Sequence, residues 1–293
     1  MNISSIKNRA SEVLMANKSQ YIRNLTILML VGLIPSIFNG SGTFARLISF
    51  AMTILFLTFQ HGYIVCSLKM VRNNAQSLND DDSFVGFRRF SELFPTYLLT
   101  SITIWAIMIG LIFIFTLLFT IIFGSALSNI GGLVSSVAIG ELAGNEILAY
   151  ILSNAPYIVL AFLIIFILLI VVSIVVSAFL FAVPYLLEQY KMTTTIAIKE
   201  SFQLMKNHIW DYVKLQLSFI GWIIIVVVIQ SLLTELLAFI PIIGTLIAAI
   251  AGGFIGIYTY LPQLYLSQAV LFEELAYRRY ENINQTYGED THV

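Results

Sequence analysis

Long apolar runs separated by short polar, charge-bearing connections dominate the chain. A helix that crosses a bilayer needs about 20 apolar residues at a rise of about 1.5 Å each. Six segments meet or approach that requirement: Leu25–Phe38, Leu47–Leu68, Tyr97–Phe123, Pro156–Leu187, Tyr212–Leu233 and Ile242–Phe272. The first is short, and Pro35 is expected to kink or end it. The third, fourth and sixth exceed the bilayer thickness and must tilt, kink or project beyond the hydrocarbon.

A second pattern precedes each odd-numbered span. Ile3, Ile6, Ala10, Val13 and Leu14 share one helical face, with Lys7, Asn8, Ser11 and Glu12 elsewhere. Phe84, Phe87 and Phe94 stand among Arg88, Arg89, Ser91 and Glu92, after Asp80, Asp81 and Asp82, whose negative charge favours a helix start. Ile198, Phe202, Met205 and Ile209 recur at helical spacing, with Lys199, Glu200, Gln203 and Lys206 facing the other way. Such two-faced stretches beside a span predict helices lying in the membrane interface.

The fold expected is therefore all-α: a polytopic helical bundle with six transmembrane helices and three cytoplasmic interfacial amphipathic helices, a single membrane domain over 1–280 and a flexible cytoplasmic tail over 281–293. A shift of 190 positions pairs Ser11 with Ser201, Leu14 with Leu204, Met15 with Met205 and Asn17 with Asn207. A shift of 122 pairs Phe59 with Phe181, Tyr63 with Tyr185 and Lys69 with Lys191. Three parallel helix-hairpin repeats are one reading of these matches, and chance agreement in low-complexity apolar sequence is the other.

Composition agrees with the pattern. The 293 residues are 59% hydrophobic and 11% charged, with a mean hydropathy of +0.91, whereas soluble domains carry about a quarter charged residues. A soluble enzyme and a disordered chain are excluded. With a net charge of −1 and no long basic stretch, so is a nucleic-acid binder.

Charge also sets an orientation. Of 15 basic residues, 14 fall in the N-terminal segment, the second and fourth connections with Lys214 just inside the fifth span, and the C-terminal region; the exception is Arg46. The positive-inside rule puts these, and both termini, in the cytoplasm. A bacterial cytoplasmic membrane is the expected location, with anionic lipid among the partners. On that topology Arg46 and Glu235 both lie near the outer face, and an ion pair is expected between them. Segment Gly124–Ala155, rich in Gly, Ser and Ala, either caps the outer surface or enters the bundle.

Reactive chemistry is sparse. The lone Cys66 forbids an intramolecular disulfide and reads as a packed thiol. His61, His208 and His292 have no metal-ligand spacing, and no phosphate loop, dinucleotide fingerprint or aligned intramembrane carboxylates occur. Neither a cofactor nor a metal is implied, and no enzymatic activity is expected. The polar residues inside spans are Gln60, His61 and Gln230. Gln60 and His61 belong to the inner third of span two and Gln230 to the outer third of span five, so they are not expected to meet. A neutral histidine bonding a neighbouring helix is the plainer reading of His61; a relay or ligand site is the sharper one. Glu188 is expected near Lys191. Gly244, Ala248, Gly252 and Gly256, each four apart, make a small-residue stripe for close helix packing, either within the chain or as a homodimer face. Trp210 and Tyr212 read as interface anchors.

The block from Thr195 to Trp222, with Ala197, Ser201, Leu204, Met205, His208, Tyr212, Leu215, Ser218, Phe219, Gly221 and Trp222, resembles a bacterial family of six-span integral membrane proteins of unknown function, the nine-seventy-five family. Ile6, Arg9, Ala10 and Leu14, the Pro184–Tyr185 pair and Pro262 resemble it too. More distantly, the family is similar to the membrane portion of some glycerophosphodiester phosphodiesterases, whose catalytic domain has no counterpart here. The resemblance implies a membrane fold and no activity or functional residues. Ser201 and His208 share a helix face with no carboxylate in reach by spacing, so they read as interfacial contacts. The role expected is an accessory or scaffold protein in export, envelope upkeep or protection against membrane-active peptides, with a membrane-protein partner or a second copy. A small transporter of a lipid or amphipathic molecule is the alternative.

Overall fold

The computed structural model describes the backbone of residues 1–37, 43–72, 74–138, 156–237, 239–240 and 243–281, with side chains left undescribed over 122–138, 156–158 and at 281. Residues 139–155 of the expected outer segment and residues 282–293 of the expected tail, with His292, lie outside that set. Helix accounts for the regular structure of the described residues, and no strand occurs among them. Residues Met1–Thr100 and Ala178–Val293 form one compact unit, and Ser101–Ser177 a second.

The described residues of the six apolar segments fall largely on helix, but spans two, four, five and six are broken. Lys18–Ile37, Phe90–Ile121 and Val159–Tyr190 are each long and apolar enough to cross a bilayer. Two bent pairs pass the same test: Ile209–Leu217 with Ile220–Leu236, at 48°, and Ile243–Thr259 with Leu261–Tyr280, at 58°. The remaining segment is Thr43–Leu55, a turn over 56–60, and a second helix, His61–Val71.

The first span starts at Lys18, a full two turns before Leu25. Gln20, Tyr21 and Asn24 look too polar for a span, yet each bonds to the 61–84 stretch. Gln20 donates to Asp80 at 2.6 Å, Tyr21 pairs with Ser67 at 2.8 Å, and Asn24 donates to the Asn79 carbonyl at 2.6 Å. Local partners satisfy these groups, so they cost little to bury.

In the first unit the core gathers around three half-helices that follow the breaks of the even-numbered spans: α5 (His61–Val71), α9 (Val183–Tyr190) and α14 (Leu261–Ala276). Pro184 and Pro262 occupy the first turns of α9 and α14. A first-turn proline lacks only an N–H that would be unpaired anyway, but it forbids a continuous helix through it. In span two the break has another cause. The 85–88 turn crosses it, with Gly86 packed so close to the Thr58 carbonyl and the Phe59 backbone that no Cβ fits. Phe87 stacks on Phe59 at 4.8 Å and meets Phe56 edge-on at 5.2 Å. Stacked Tyr63–Tyr265 and Tyr185–Phe272 pairs, each 4.8 Å between centroids, tie α5 and α9 to α14. Cys66, Leu186, Leu266, Val270 and Phe272 fill the space between.

The three amphipathic stretches take three different forms. The first is helix α1 (Ile3–Ala16), and its Ile6 and Ala10 are buried against α14, with Gln263 donating to Ser11 at 2.8 Å. The second is not one helix. It is a short 3-10 turn over Asp80–Phe84, a four-residue α-turn over Val85–Arg88, and then the long helix α7 (Phe90–Ala138). The third is helix α10 (Thr194–Met205), which turns Ala197, Ser201, Leu204 and Met205 into the protein and leaves Phe202 42% exposed. Its buried face is thus rotated towards Ser201 from the one its hydrophobic periodicity indicates. Ala197 and Ser201 are small enough for close packing, and the Ser201 hydroxyl donates to the Phe179 carbonyl at 2.6 Å.

The second unit consists of the adjoining parts of α7 and α8 (Pro156–Leu180). Phe119 and Phe162 meet there at 4.4 Å. Its other large side chains mostly face outwards, including Trp105, Phe113, Ile121 and Phe166, and no residue of the most apolar window of Val159–Tyr190 is buried. A surface this apolar is stable only in a hydrocarbon solvent. The protein is a membrane protein.

Candidate functional site

A polar cluster at the start of α5 is the most concentrated chemistry among the described residues. The break at 56–60 ends span two's first helix and leaves His61 as the first residue of α5. The ring is completely buried. Its Nδ1 lies 2.9 Å from the Tyr97 hydroxyl on α7, and its Nε2 lies 3.0 Å from Oε2 of Glu188 on α9. One imidazole thus links spans two, three and four.

Glu188 is the hub. Arg89 Nη1 donates to the same Oε2 at 2.5 Å, and Lys191 Nζ stands 3.7 Å from Oε1. Arg89 also forks onto Glu92, at 2.8 and 2.6 Å. Those hydrogen bonds to Glu92, joined by the one to Glu188, hold the Arg89 proton even more firmly than usual. Close by, the hydroxyls of Thr96 and Thr194 meet at 2.6 Å and join α7 to the start of α10.

A second polar belt joins α2 (Lys18–Gly32) to the 61–84 stretch. Lys69 reaches both carboxylate oxygens of Asp82 at 2.8 Å, Asp82 accepts the Asn79 backbone N–H at 3.0 Å, and Arg23 pairs with Asp80. Asn24 also donates to the Cys66 sulfur at 3.3 Å, and that thiol is fully buried.

The other residues that the sequence singles out are scattered. Gln60 precedes His61 but is exposed. Gln230, on α12 (Ile220–Leu236), lines an open groove of about 270 Å³ with Ser231, Thr234 and Glu235. Gly244, Ala248, Gly252 and Gly256 on α13 (Ile243–Thr259) are all buried. A Cβ on Gly252 would lie 3.0 Å from the side-chain Oε1 of Gln230, and one on Gly244 would collide with the Leu237 backbone carbonyl. The stripe therefore lets α13 approach α12 and the connection before it.

Two expectations are corrected. Arg46 and Glu235 are both exposed, and no ion pair joins them among the described residues. Charged ends of apolar helices gain more from solvent than from one weak surface pair. His208 does have a carboxylate in reach: Asp211, three residues on, accepts from or faces Nδ1 at 3.0 Å. The i, i+3 spacing was the available signal. No sequence signal links residues 61, 97 and 188, which meet only because three spans converge.

A family model described as "Protein of unknown function (DUF975)" matches residues 1–248. The chain belongs to the DUF975 family. No curated protein and no solved structure matches it. The matched range includes the whole His61–Tyr97–Glu188–Arg89 cluster and ends within α13, so Pro262 and α14 lie beyond it.

Proposed function

We propose that this DUF975 member is a non-enzymatic, multi-pass protein of the bacterial cytoplasmic membrane, with both termini in the cytoplasm. In this reading it acts as an accessory or scaffold for other membrane proteins in export, envelope upkeep or protection against membrane-active peptides. One observation carries it: the His61–Glu188 cluster is spent on holding helices together. Both ring nitrogens of His61 are committed to protein partners, and Glu188 gathers Arg89 and Lys191 as well. A relay or substrate site needs a polar group left free to exchange partners, and Gln60, His61 and Gln230 do not share a cavity.

The cytoplasmic orientation follows from the basic residues, which crowd the connections around α1, α5 and α10. There, Phe202 on α10 and Trp210 after it stay exposed beside Lys199 and Lys206, which suits contact with an anionic interface or a partner. Bent spans favour a second reading, a small transporter of a lipid or amphipathic molecule, because broken helices can move against one another.

Affinity purification of the full chain in mild detergent separates the two. A stoichiometric membrane-protein partner supports the accessory role. Purification as a partner-free species that moves a labelled lipid between leaflets of a vesicle supports transport and sinks the first reading.

A further inference from the structure

We infer that the groove between the start of α2 and Tyr258 of α13 is a binding site for one anionic phospholipid. The groove holds about 570 Å³, and its lining changes character along its length. Lys18, Ser19, Ile22 and Arg23 line the half nearer the helix start, and Thr26, Ile27 and Tyr258 line the rest.

Length and charge identify the occupant. Lys18 and Ile27 are nine residues apart on helix, about 14 Å, which is close to half the hydrocarbon thickness of a bilayer, about 15 Å. A site with cations at one end and aliphatic side chains a leaflet's depth away matches a phosphate head followed by acyl chain. Lys18 forms no ion pair among the described residues, while Arg23 is shared with Asp80. Lys18 also sits at the N-terminal end of its helix, where the helix dipole repels a cation, so the helix itself does not account for it. An external anion does. Tyr258 is 69% exposed just before the bend at Tyr260, its ring centroid 6.5 Å from that of Phe254, so most of the ring is open to a lipid chain.

The site rests on the membrane reading, and on the proposed orientation only for which leaflet supplies the lipid. Tagging the termini tests that orientation separately.

Native mass spectrometry of the detergent-purified full chain tests the site, with dioleoylphosphatidylglycerol and dioleoylphosphatidylcholine at equal concentration. The wild type should retain the anionic lipid in clear preference. Lys18→Gln should weaken that retention about fivefold and leave the zwitterionic lipid unchanged. Arg9→Gln, at an exposed arginine on α1 outside the groove, should have no effect. Ser19→Asp, at an exposed side chain in the same groove, gives a second weakened variant should Lys18→Gln misfold. Equal retention of the two lipids overturns the site, as does full retention by both groove variants. An equal loss in Arg9→Gln reduces the effect to diffuse surface charge and also overturns it. Displacement by millimolar inorganic phosphate would assign the groove to free phosphate and remove the lipid.

Discussion

At the scale of single residues, the costliest groups are the polar ones placed where water is absent. Glu188 accepts from Arg89 and faces His61 within 3.0 Å. Removing one partner of such a half-buried pair strands the other and costs about 1–3 kcal/mol. Glu188→Ala should therefore lower the thermal midpoint of the detergent-purified protein, and His61→Ala should lower it less, since a neutral imidazole is cheaper to lose. The double variant should lose less than the two single losses combined, because both remove the same contact. Full additivity would show that the two side chains are not coupled. Gly86 presents the opposite problem, one of space. Gly86→Ala would push a methyl into the Thr58 carbonyl, and overpacking of this kind costs about 1–3 kcal/mol. An unaltered midpoint would mean that the 85–88 turn does not clamp the break in span two.

At the scale of elements, small residues decide which helix faces meet. Gly252 on α13 packs on Gln230 of α12 within one chain. Gly252→Leu is expected to destabilise the protein by about 1–3 kcal/mol and leave its size on gel filtration unchanged. A shift in oligomeric state without loss of stability would assign the stripe to a homodimer face. Helix α10 offers a paired comparison. Ser201→Ala loses the hydrogen bond to Phe179, worth about 1 kcal/mol, whereas Ile196→Ser should stay within about 0.5 kcal/mol in detergent because its side chain is 52% exposed. Equal losses from the two substitutions would contradict the face assignment. This is also where the hydrophobic pattern misleads. Ile198, Phe202 and Met205 mark the apolar side of α10, but a bilayer interface satisfies an apolar side as well as a protein core does. Tertiary packing selected the adjoining face because Ala197 and Ser201 permit closer approach.

At the scale of the whole molecule, the membrane is the missing half of the fold. The second unit exposes Trp105, Phe113 and Phe166, an arrangement that water would not tolerate. With the orientation proposed above, a cysteine introduced at Glu235 should react with a membrane-impermeant maleimide in intact cells, and one introduced at Asn74, in the connection after α5, should not. The reverse labelling pattern would invert the topology and take the cytoplasmic reading of α1 and α10 with it. The DUF975 match, which stops at residue 248, leaves α14 outside the shared region even though α1 and α5 both pack on it. Its proline, Pro262, and its aromatic stacks therefore matter to this chain's stability whatever the family's common role.

Sequence alone was enough for the all-α membrane class, the positions of the apolar segments and the isolation of His61 as a polar residue among apolar neighbours. These are properties of composition and period, and hydrocarbon imposes them on each segment separately. Pro184 and Pro262 even mark where two spans break, because a missing N–H acts locally. The Gly86 clamp on span two, the face that α10 buries, the early start of the first span and the meeting of His61, Tyr97, Arg89 and Glu188 were decided by tertiary structure only. Each depends on residues from distant parts of the chain arriving within hydrogen-bond or van der Waals distance, and no spacing along one helix records which partner will stand across the gap.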